Sequence, residues 1–528
     1  MINIRFREIL NVMLRHSIFL FTLLFLIASC KKEKDTSFEE LTEEVAPLYD
    51  STLKPFYHGV ASGDPLTDRV IIWTRVTPDN ALSHIPVEWE IAENENFNPI
   101  VKSDTTSASP SQDYTVKVDV AGLLPGKYYF YRFKALDKTS PAGRTKTIAG
   151  SKLDSLKFAV VSCNNWEFGY FNAYNGIAGK DLDAVLHLGD YIYEYGQGGY
   201  GNKNVDRKHL PAHETVTLQD YRTRYSQYHL DASLRKARAK HPFITVWDDH
   251  EVANDVYTGG AQNHQADEEG DFNTRKAAAK KAYYEWMPIR ENEKHFRAFT
   301  FGDLASLIML DERLEGRVKP SDSISDPSLF KEDRTMLGAE QLQWFEAQLK
   351  TSGPAWKIIG NQVLFSDLDQ SFKTEGHQRN LDSWDGYPAE KKRIADFIRE
   401  NNIKDVIFLA GDTHSSWAFE VAIDPTKTYN KKTSAGAFAV EFGTTSVSSG
   451  NANERQPDDT VKVNEARLLK ANPHLKFTNH RDHGYLLLTL YPQKAKAEWF
   501  YVETLLQPDE RERLAQKLEV EKGRYRLK

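Results

Sequence analysis

Two hydrophobic patterns follow one another along the chain and change near residue 150. Residues 56–149 contain RVIIWTRV, VEWEIA and DYTVKVDV, in which apolar and polar residues alternate. This period of two is typical of half-buried β-strands. The next part has continuous apolar runs, as expected for strands covered on both faces of a sheet; they lie near residues 156–162, 183–189, 243–248, 356–360 and 404–410. We therefore predict an all-β region followed by an α/β domain over residues 150–505.

Helices and hairpins alternate with these runs. GAEQLQWFEAQL has apolar residues at helical spacing, and so does PAEKKRIADFIREN, which begins with a proline. Residues 296–310 predict a hairpin around Gly302-Asp303, and HGYLLLTLYPQKAKAEWFYVE predicts another. Hairpins mixed with α/β units favour two sheets packed face to face with helices outside. For the charged tail, residues 506–528, we predict a helix.

The all-β region contains no cluster of ligand-like side chains, so we expect its role to be structural. Its segment Leu-x-Pro-Gly-x-x-Tyr ends at Tyr129 and resembles the tyrosine corner of fibronectin type III sandwiches. This resemblance favours a small β-sandwich over residues 56–149, which would orient the α/β domain or cover one side of its cleft.

The N-terminus has the features of an export signal. A basic segment precedes the apolar run SIFLFTLLFLIAS, which is shorter than the roughly 20 residues that span a membrane. Ile27-Ala28-Ser29-Cys30 resembles a bacterial lipobox, which implies removal of residues 1–29 and lipidation of Cys30; the alternative is an ordinary signal peptide. Residues 30–55 are charged and aperiodic, as in a flexible tether. We expect an outer-membrane lipoprotein on the periplasmic or cell-surface face.

Composition narrows the class of protein further. The net charge of −7 argues against a general nucleic-acid-binding surface, because such surfaces are basic. We also expect the protein to be a monomer. If Cys30 is lipidated, Cys163 is the remaining cysteine of the mature chain, so no intramolecular disulfide forms. Cys163 is then either a small buried apolar residue or a metal thiolate.

Short polar clusters follow five of the apolar runs, and they are the candidate chemistry of the chain. Because ligands of α/β proteins bind outside the carboxyl ends of strands, we expect these side chains to converge on a metal site. The clusters contain Cys163; Asp190 and Tyr193; Asp248, Asp249 and His250; Asn361 and Gln362; and Asp412 and His414.

Each cluster also has a simpler interpretation. Asp190 can bridge two ions, and Tyr193 suggests a trivalent ion such as Fe³⁺, since a phenolate needs a strongly charged metal to lose its proton; Tyr193 can instead only pack beside its strand. Asp249 can ligate a hard cation and His250 can meet a phosphoryl oxygen, whereas Asp248 can cap the next helix. Asn361 suits a ligand or a turn.

Two further pairs complete the candidates. Asp412 and His414 are two residues apart on an extended segment and share a face, although a lone histidine at a strand end is usually only hydrogen-bonded. Arg313 and Arg317 follow another strand, where a guanidinium can clamp phosphate through two parallel bonds or form a surface ion pair.

These clusters, in this order, resemble the motifs of the calcineurin-like metallophosphoesterase superfamily, and more closely those of PhoD-type alkaline phosphatases. The similarity extends over most of residues 56–505 and includes FYHGVASGDP, VIIWTRV, DYRTRYSQYHLDASLRKA and TVWDDHEVAND. It implies a four-layer αββα catalytic domain behind a small β-sandwich. The superfamily usually has an acidic first motif, Asn-His in the third and Gly-His-x-His in the last; this chain has Cys163, Asp249-His250 and Gly411-Asp412-Thr413-His414.

The resemblance also implies a role for each candidate residue. Asp190 would bridge two ions, with Fe³⁺ completed by Cys163, Tyr193 and His414. Asp249, Asp412 and Asn361 would complete an oxygen-only site, a set that favours Ca²⁺ or Mg²⁺ over zinc; similar PhoD enzymes pair Fe³⁺ with Ca²⁺, and the number of Ca²⁺ ions stays open. His250 and Arg313 would stabilise charge on the transferring group.

The predicted function is hydrolysis of phosphate monoesters, as in an alkaline phosphatase, by a metal-bridging hydroxide that attacks phosphorus in line with the leaving group. A phosphodiesterase or phospholipase D-like activity is the nearest alternative, because loops around the cleft decide the ester class. An alternative of another class is a surface-attached binding lipoprotein with an inactive site. The retention of all metal-type side chains argues against this alternative.

Overall fold

The computed structural model describes residues 43–292, 294–372 and 378–528. The predicted signal peptide, Cys30 and the first part of the predicted tether lie outside this range. Among the described residues, no helix combines the length and hydropathy needed to cross a membrane.

Two large sheets form the centre of the α/β domain. The first contains β9 (Leu156–Val161), β10 (Ala184–His187) and β11 (Pro242–Thr245) as parallel neighbours. The second contains β13 (Ala305–Met309), β14 (Trp356–Gly360) and β15 (Val406–Ala410), also parallel. All five continuous apolar runs of the sequence therefore form strands.

Antiparallel strands extend both sheets. The two predicted hairpins are confirmed: β12 (Arg297–Phe301) pairs with β13, and β19 (Gly484–Leu490) pairs with β20 (Lys494–Val502). The second sheet continues through β17 (Ala437–Gly443) and β16 (Ser416–Ala422) to β18 (Leu475–Asn479).

Apolar side chains from both sheets form one shared core, and helices cover the outer faces. Phe158 and Leu186 of the first sheet belong to the same buried cluster as Leu307 and Ile358 of the second. This packing confirms the predicted αββα arrangement, and both predicted helices are present. The helices are α1 (Ala173–Ala178), α2 (Leu218–His229), α3 (Ala232–Lys240), α4 (Ala266–Glu269), α5 (Phe272–Trp286), α6 (Gly338–Leu349), α7 (Pro388–Glu400) and α8 (Asp458–Ala471).

The N-terminal all-β region divides its strands between two sheets. A separate five-stranded sheet contains β3 (Ile85–Ala92), β4 (Ile100–Ala108), β6 (Tyr128–Ala135), β7 (Lys138–Thr139) and β8 (Gly143–Lys146). The tyrosine corner is present, because the hydroxyl of Tyr129 accepts a hydrogen bond from the backbone N–H of Leu124 at 2.9 Å.

The other strands of this region extend the first large sheet. These strands are β1 (Val60–Gly63), β2 (Arg69–Arg75) and β5 (Thr115–Ala121), and β1 pairs in parallel with β11. The contact requires glycine at position 63, where a Cβ would lie 2.2 Å from the carbonyl oxygen of Pro288. The sequence did not predict that the two regions share a sheet.

Two of the sequence predictions are wrong at the ends of the chain. Residues 512–521 form strand β21 (Glu512–Glu521) on the edge of the first sheet, not a helix. Its composition suits a helix, but pairing with β20 places Glu519 opposite Lys496 and Lys517 opposite Glu498, and such cross-strand pairs stabilise a sheet. Tertiary contacts override local propensity here.

The predicted tether ends earlier than residue 55. Glu43 forms an ion pair with the buried Arg75 at 2.8 Å, Val45 is buried, and short 3₁₀ helices follow at Ala46–Leu48 and Ser51–Leu53. From residue 43 onward, the predicted tether is therefore folded against the rest of the chain.

Candidate metal centre

The polar clusters of the sequence converge at one edge of the two central sheets. Cys163 follows β9, Asp190 follows β10, and Asp248 follows β11 in the first sheet; Asn361 follows β14 and Asp412 follows β15 in the second. Because the strands in each sheet are parallel neighbours, their carboxyl ends open on the same side. The chain folds so that widely separated segments supply one group of ligands.

One half of this centre combines different donor types, and we name it the mixed-ligand cluster: Cys163, Asp190, Tyr193 and His414. Ligand atoms of Cys163, Asp190 and His414 all lie within 4.8 Å of one another. The Tyr193 hydroxyl donates to Oδ2 of Asp190 at 2.9 Å and lies 3.1 Å from Nε2 of His414. A thiol, a carboxylate, a phenol and an imidazole therefore face a single point.

The other half consists of oxygen donors, and we name it the carboxylate cluster: Asp248, Asp249 and Asp412. Their ligand atoms also lie within 4.8 Å of one another. A third group, Asp190 with Asp249 and His250, meets the same criterion. Asp190 and Asp249 therefore connect the two halves, as expected for two adjoining ion sites.

Unpartnered oxygen atoms show that these residues fit cations. Oδ1 of Asp190, Oδ2 of Asp248 and Oδ1 of Asp249 are buried without a hydrogen-bond partner among the described residues, as are both polar side-chain atoms of Asn361. Buried polar atoms are normally hydrogen-bonded, and unpaired carboxylates are costly to bury. Bound metal ions would satisfy the oxygen atoms of this set, whereas the amide nitrogen of Asn361 is a donor and would need an acceptor.

The backbone is strained at four of the candidate ligands. Cys163, Asp190, Asp412 and His414 have φ values of 63°, 54°, 59° and 51°, in the left-handed region that side chains other than glycine rarely adopt. Such strain persists where surrounding structure enforces it, and it concentrates at functional sites.

The titration of the ligands depends strongly on burial. Burial, with the neighbouring Asp190, raises the pKa of the Cys163 thiol, and the same two causes raise the pKa of the Tyr193 phenol. Burial also raises the pKa of Asp412, against the opposing charge of Arg313. A thiolate and a phenolate at these positions would need a strongly charged cation beside them.

Backbone groups of residues 448–450 hold His414 and Cys163 in place. Nδ1 of His414 lies 3.1 Å from the carbonyl oxygen of Gly450, which leaves Nε2 to face Tyr193 and fixes the tautomer that can bind a metal. The backbone N–H groups of Ser448 and Ser449 both donate to the carbonyl oxygen of Cys163 at 3.2 Å. The serine-rich segment 445–449 thus supports the mixed-ligand cluster, a role that its composition alone did not reveal.

His250 forms a close pair with Glu194. Nδ1 of His250 lies 2.7 Å from Oε2 of the buried Glu194. Burial alone would lower the pKa of His250, but the charges of Glu194 and Asp249 outweigh it and raise this pKa. The carboxylates of Glu194 and Asp249 therefore favour the protonated form of His250 at the wall of the cleft. The sequence placed His250 in the site but missed Glu194, which lies in the same segment as Tyr193.

Arg313 lies among the carboxylates rather than in the open cleft. It is fully buried and ion-paired with Asp248, with Asp382 at 2.7 Å and with Asp412 at 3.2 Å. Arg317 pairs with the same Asp382. This position differs from that expected of a phosphate clamp: Arg313 offsets the negative charge of the carboxylate cluster, and Arg317 contacts none of the candidate ligands.

The open space above the two clusters is a cleft of about 510 Å³. Arg455 is exposed and borders this cleft, and its Nη2 donates to the hydroxyl of Tyr200 at 3.2 Å. Tyr200 in turn stacks on His414, with ring centroids 6.4 Å apart. The cleft is lined by Asp190, Tyr195, Gly199, Tyr200, Asp249, His250, Asn254, Asp255, Asp412, Thr413, His414 and Arg455.

Sequence reasoning missed several residues that build this centre. Asp248 was expected in one of the converging clusters, with a helix cap as the alternative, but it was not assigned as a ligand; it belongs to the carboxylate cluster. Glu251 accepts hydrogen bonds from the backbone N–H groups of Asp190 at 3.0 Å and Asp248 at 2.6 Å, so it joins two ligand loops. Asp248 and Glu251 flank the predicted pair Asp249-His250 in WDDHE, so their positions in the sequence could have indicated them. No feature of the sequence indicated Arg455, which lies far along the chain.

The fold and the two clusters define a class of protein: an αββα sandwich with a candidate two-site metal centre. The family model described as "PhoD-like phosphatase" matches residues 158–499, and the one described as "PhoD-like phosphatase, N-terminal domain" matches residues 44–149.

The similar proteins agree with these matches. The chain is 39% identical over 487 residues to alkaline phosphatase D of Bacillus subtilis (strain 168), covering 88% of this chain and 80% of that protein. A solved structure described as "Structure of PhoD" superposes with a TM-score of 0.80 at 37% identity, covering 89% of this chain and 90% of that one. The chain belongs to the PhoD-like phosphatase family, whose chemistry is phosphoester hydrolysis.

Proposed function

We propose that this protein is a metal-dependent phosphatase that releases inorganic phosphate from phosphate monoesters. The observation that supports this most strongly is the pair of adjoining clusters at the floor of one open cleft. The relative from Bacillus subtilis is named an alkaline phosphatase, which favours monoesters over other substrates.

The donor chemistry suggests which ion each cluster holds. The mixed-ligand cluster would hold Fe³⁺, because a phenol and a buried thiol ionise beside a highly charged ion. The carboxylate cluster, with Asn361 as a neutral oxygen donor, would hold Ca²⁺, which prefers oxygen ligands. When bound, the two ions would supply Lewis acidity that polarises the phosphoryl oxygens and activates water.

The side chains of the cleft would bind and orient the ester. His250, kept protonated by Glu194, can donate a proton to the leaving oxygen or stabilise its charge. Arg455 can pair with an oxygen of the ester, since it is the arginine that borders the cleft. Arg313 keeps the carboxylates in place, which is a positioning role rather than direct contact with substrate.

The test compares two substrates on protein lacking residues 1–30 and supplied with Ca²⁺. We expect p-nitrophenyl phosphate to be hydrolysed faster than bis-p-nitrophenyl phosphate at alkaline pH, and chelators to abolish the reaction. A preference for the diester would move the function to a phosphodiesterase or phospholipase-like enzyme with the same centre. No turnover of either substrate by metal-loaded protein would contradict the proposal and favour a binding role.

We also propose that the protein is exported and attached to the outer membrane through lipidated Cys30. The proposal depends on the lipobox-like sequence before Cys30. Mass spectrometry of the mature N-terminus tests it directly: a diacylglycerol-modified Cys30 is expected, and a Cys30→Ser variant should leave the membrane fraction. An unmodified cysteine, or cleavage at another position, would show an ordinary signal peptide instead.

A further inference from the structure

Arg238 on α3 is an exception among the buried arginines. It is 1% exposed, and neither Nη1 nor Nη2 has a hydrogen-bond partner among the described residues. Every other arginine that is buried in the described chain donates to a carboxylate or a backbone carbonyl: Arg75, Arg207, Arg224, Arg275, Arg313, Arg317 and Arg334.

The charge of Arg238 cannot be removed by deprotonation. A guanidinium stays protonated in proteins, so it needs a partner when it is buried. The Trp73 ring lies 4.7 Å from its Cζ, but attraction to an aromatic face is much weaker than the penalty for burying an unpaired ion. Burial lowers the pKa of Arg238, and the groups that oppose this shift are the phenols of Tyr191, Tyr131 and Tyr174 rather than a carboxylate.

The surroundings of Arg238 are rich in unused hydrogen-bond donors. The ring of Trp73, over which Arg238 lies, is 5.4 Å from the ring of His229, and the ring of Tyr191 is 5.3 Å from that of His229. The charge of Arg238 acts to lower the pKa values of both Tyr131 and His229. The hydroxyls of Tyr191 and Tyr225 and the ring nitrogens of His229, one of which donates in the neutral imidazole, are buried without partners among the described residues. The hydroxyls of Ser62 and Tyr131 are also buried and interact with each other at most.

We propose that Arg238 binds a small inorganic anion, chloride in the native protein, among these groups. A buried cation with hydroxyl and imidazole groups around it, and no carboxylate paired with it in the described part of the chain, is complementary to a negative ion. The ion is small because aromatic rings pack closely around the position: Trp73 lies 5.4 Å from His229, and Tyr225 lies 6.3 Å from Tyr191. This site is separate from the phosphatase centre and does not depend on the proposed function.

The location suggests what the anion does. Ser62 lies on β1 and Tyr131 on β6, both in the N-terminal region, whereas His229 and Arg238 lie on helices of the α/β domain. Tyr191 directly follows the candidate ligand Asp190. The anion would therefore join the two regions where they share a sheet, next to a loop of the metal centre.

Bromide provides a direct crystallographic probe. Crystals of the protein grown or soaked in sodium bromide should show an anomalous peak at the bromine edge within hydrogen-bond distance of Nη1 or Nη2 of Arg238. A water molecule at that position, or bromide only at surface sites, would overturn the proposal. The result does not depend on any variant folding.

Solution stability gives a second, independent test. At matched ionic strength, replacing an excluded organic anion by about 0.1 M chloride should raise the melting temperature of the parent by about 2–4 °C, and an Arg238→Met variant should lose this dependence. Arg207→Met is the matched control, because Arg207 is also buried over a tryptophan but pairs with Asp231. Equal chloride dependence in the parent and the Arg238→Met variant would contradict the site.

Discussion

The two halves of the metal centre differ in how their charge is balanced before any ion binds. The carboxylate cluster has a cation of its own, because Arg313 pairs with Asp248 and Asp412. In the mixed-ligand cluster, Cys163 and Tyr193 are weak acids with raised pKa values, and Asp190 has no ion pair with lysine or arginine within the described chain. The carboxylate cluster is compensated by a buried guanidinium. In the mixed-ligand cluster, Asp190 has only the nearby His250, and ionisation of the thiol and the phenol depends on the bound ion itself.

Under the proposed function, this difference explains how a single cleft would select two different ions. Neutral, weakly acidic ligands bind only an ion that is charged enough to displace their protons. Carboxylic acids remain stronger acids than a thiol or a phenol, so carboxylates beside a guanidinium accept a hard divalent ion with less competition from protons, even though burial raises the pKa of Asp412. Variants that remove one ion at a time test whether the two clusters bind their ions independently.

The largest effect is expected for the thiol. Cys163→Ser should remove the ion of the mixed-ligand cluster and lower kcat about 10³-fold or more, because a buried serine hydroxyl does not ionise there. Elemental analysis measures the metal content, and p-nitrophenyl phosphate turnover measures kcat. Cys163→Asp is the matched control: its carboxylate is a hard ligand that should retain an ion and part of the rate. Full iron content and full rate in Cys163→Ser would contradict the assignment.

Asp412 tests the other half. Asp412→Asn should weaken Ca²⁺ binding and lower turnover about 10²-fold, while the ion of the mixed-ligand cluster stays bound. Calcium titration of activity, together with elemental analysis, separates the two losses. If both ions are lost together, the two clusters form one cooperative site, which would contradict their proposed independence.

The elements of the fold were largely predictable from the sequence, because buried parallel strands have continuous apolar runs. The same runs located the ligands, since each ends in polar side chains at the sheet edge. Strand β21 was not predictable: its residues favour a helix, and only pairing with β20 makes it a strand. Local composition cannot reveal such a partner.

The sequence predicted which candidate ligands would lie together, but it did not predict the ion pairs that surround them. Asp190, Asp249, Asp412 and His414 were found from their positions after strands. The positions of Arg313 and Arg455 depend on how distant segments meet. The sequence suggested Arg313 beside the transferring group, whereas the structure buries it among carboxylates; Arg455, which borders the cleft, was not predicted.

A smaller effect is expected for Glu251, which joins the loops of both halves. Glu251→Gln replaces one accepting oxygen by a donating amide and breaks a bond to a backbone N–H group of the ligand loops. We expect about 10-fold weaker affinity for both ions, with kcat at saturating metal restored to near the parent value. Unchanged affinity with a lowered melting temperature would show a purely structural role.

The smallest effect concerns substrate binding above both halves. Arg455→Ala should raise KM for p-nitrophenyl phosphate about 3–10-fold and change kcat little, because the exposed guanidinium contributes one solvent-screened contact. Arg455→Lys should restore part of the affinity. Lys462, an exposed residue outside the residues that line the cleft, supplies the control variant Lys462→Ala. A fall in kcat with constant KM would assign Arg455 to the chemical step instead.

The most direct measurement of the two-site account is anomalous diffraction from crystals of the metal-loaded protein, recorded above and below the iron edge. We predict an iron peak bonded to Sγ of Cys163 and the phenolic oxygen of Tyr193, and a second ion without iron signal among Asp248, Asp249 and Asp412. The same element at both positions, or a metal ion that does not touch Cys163, would contradict the account.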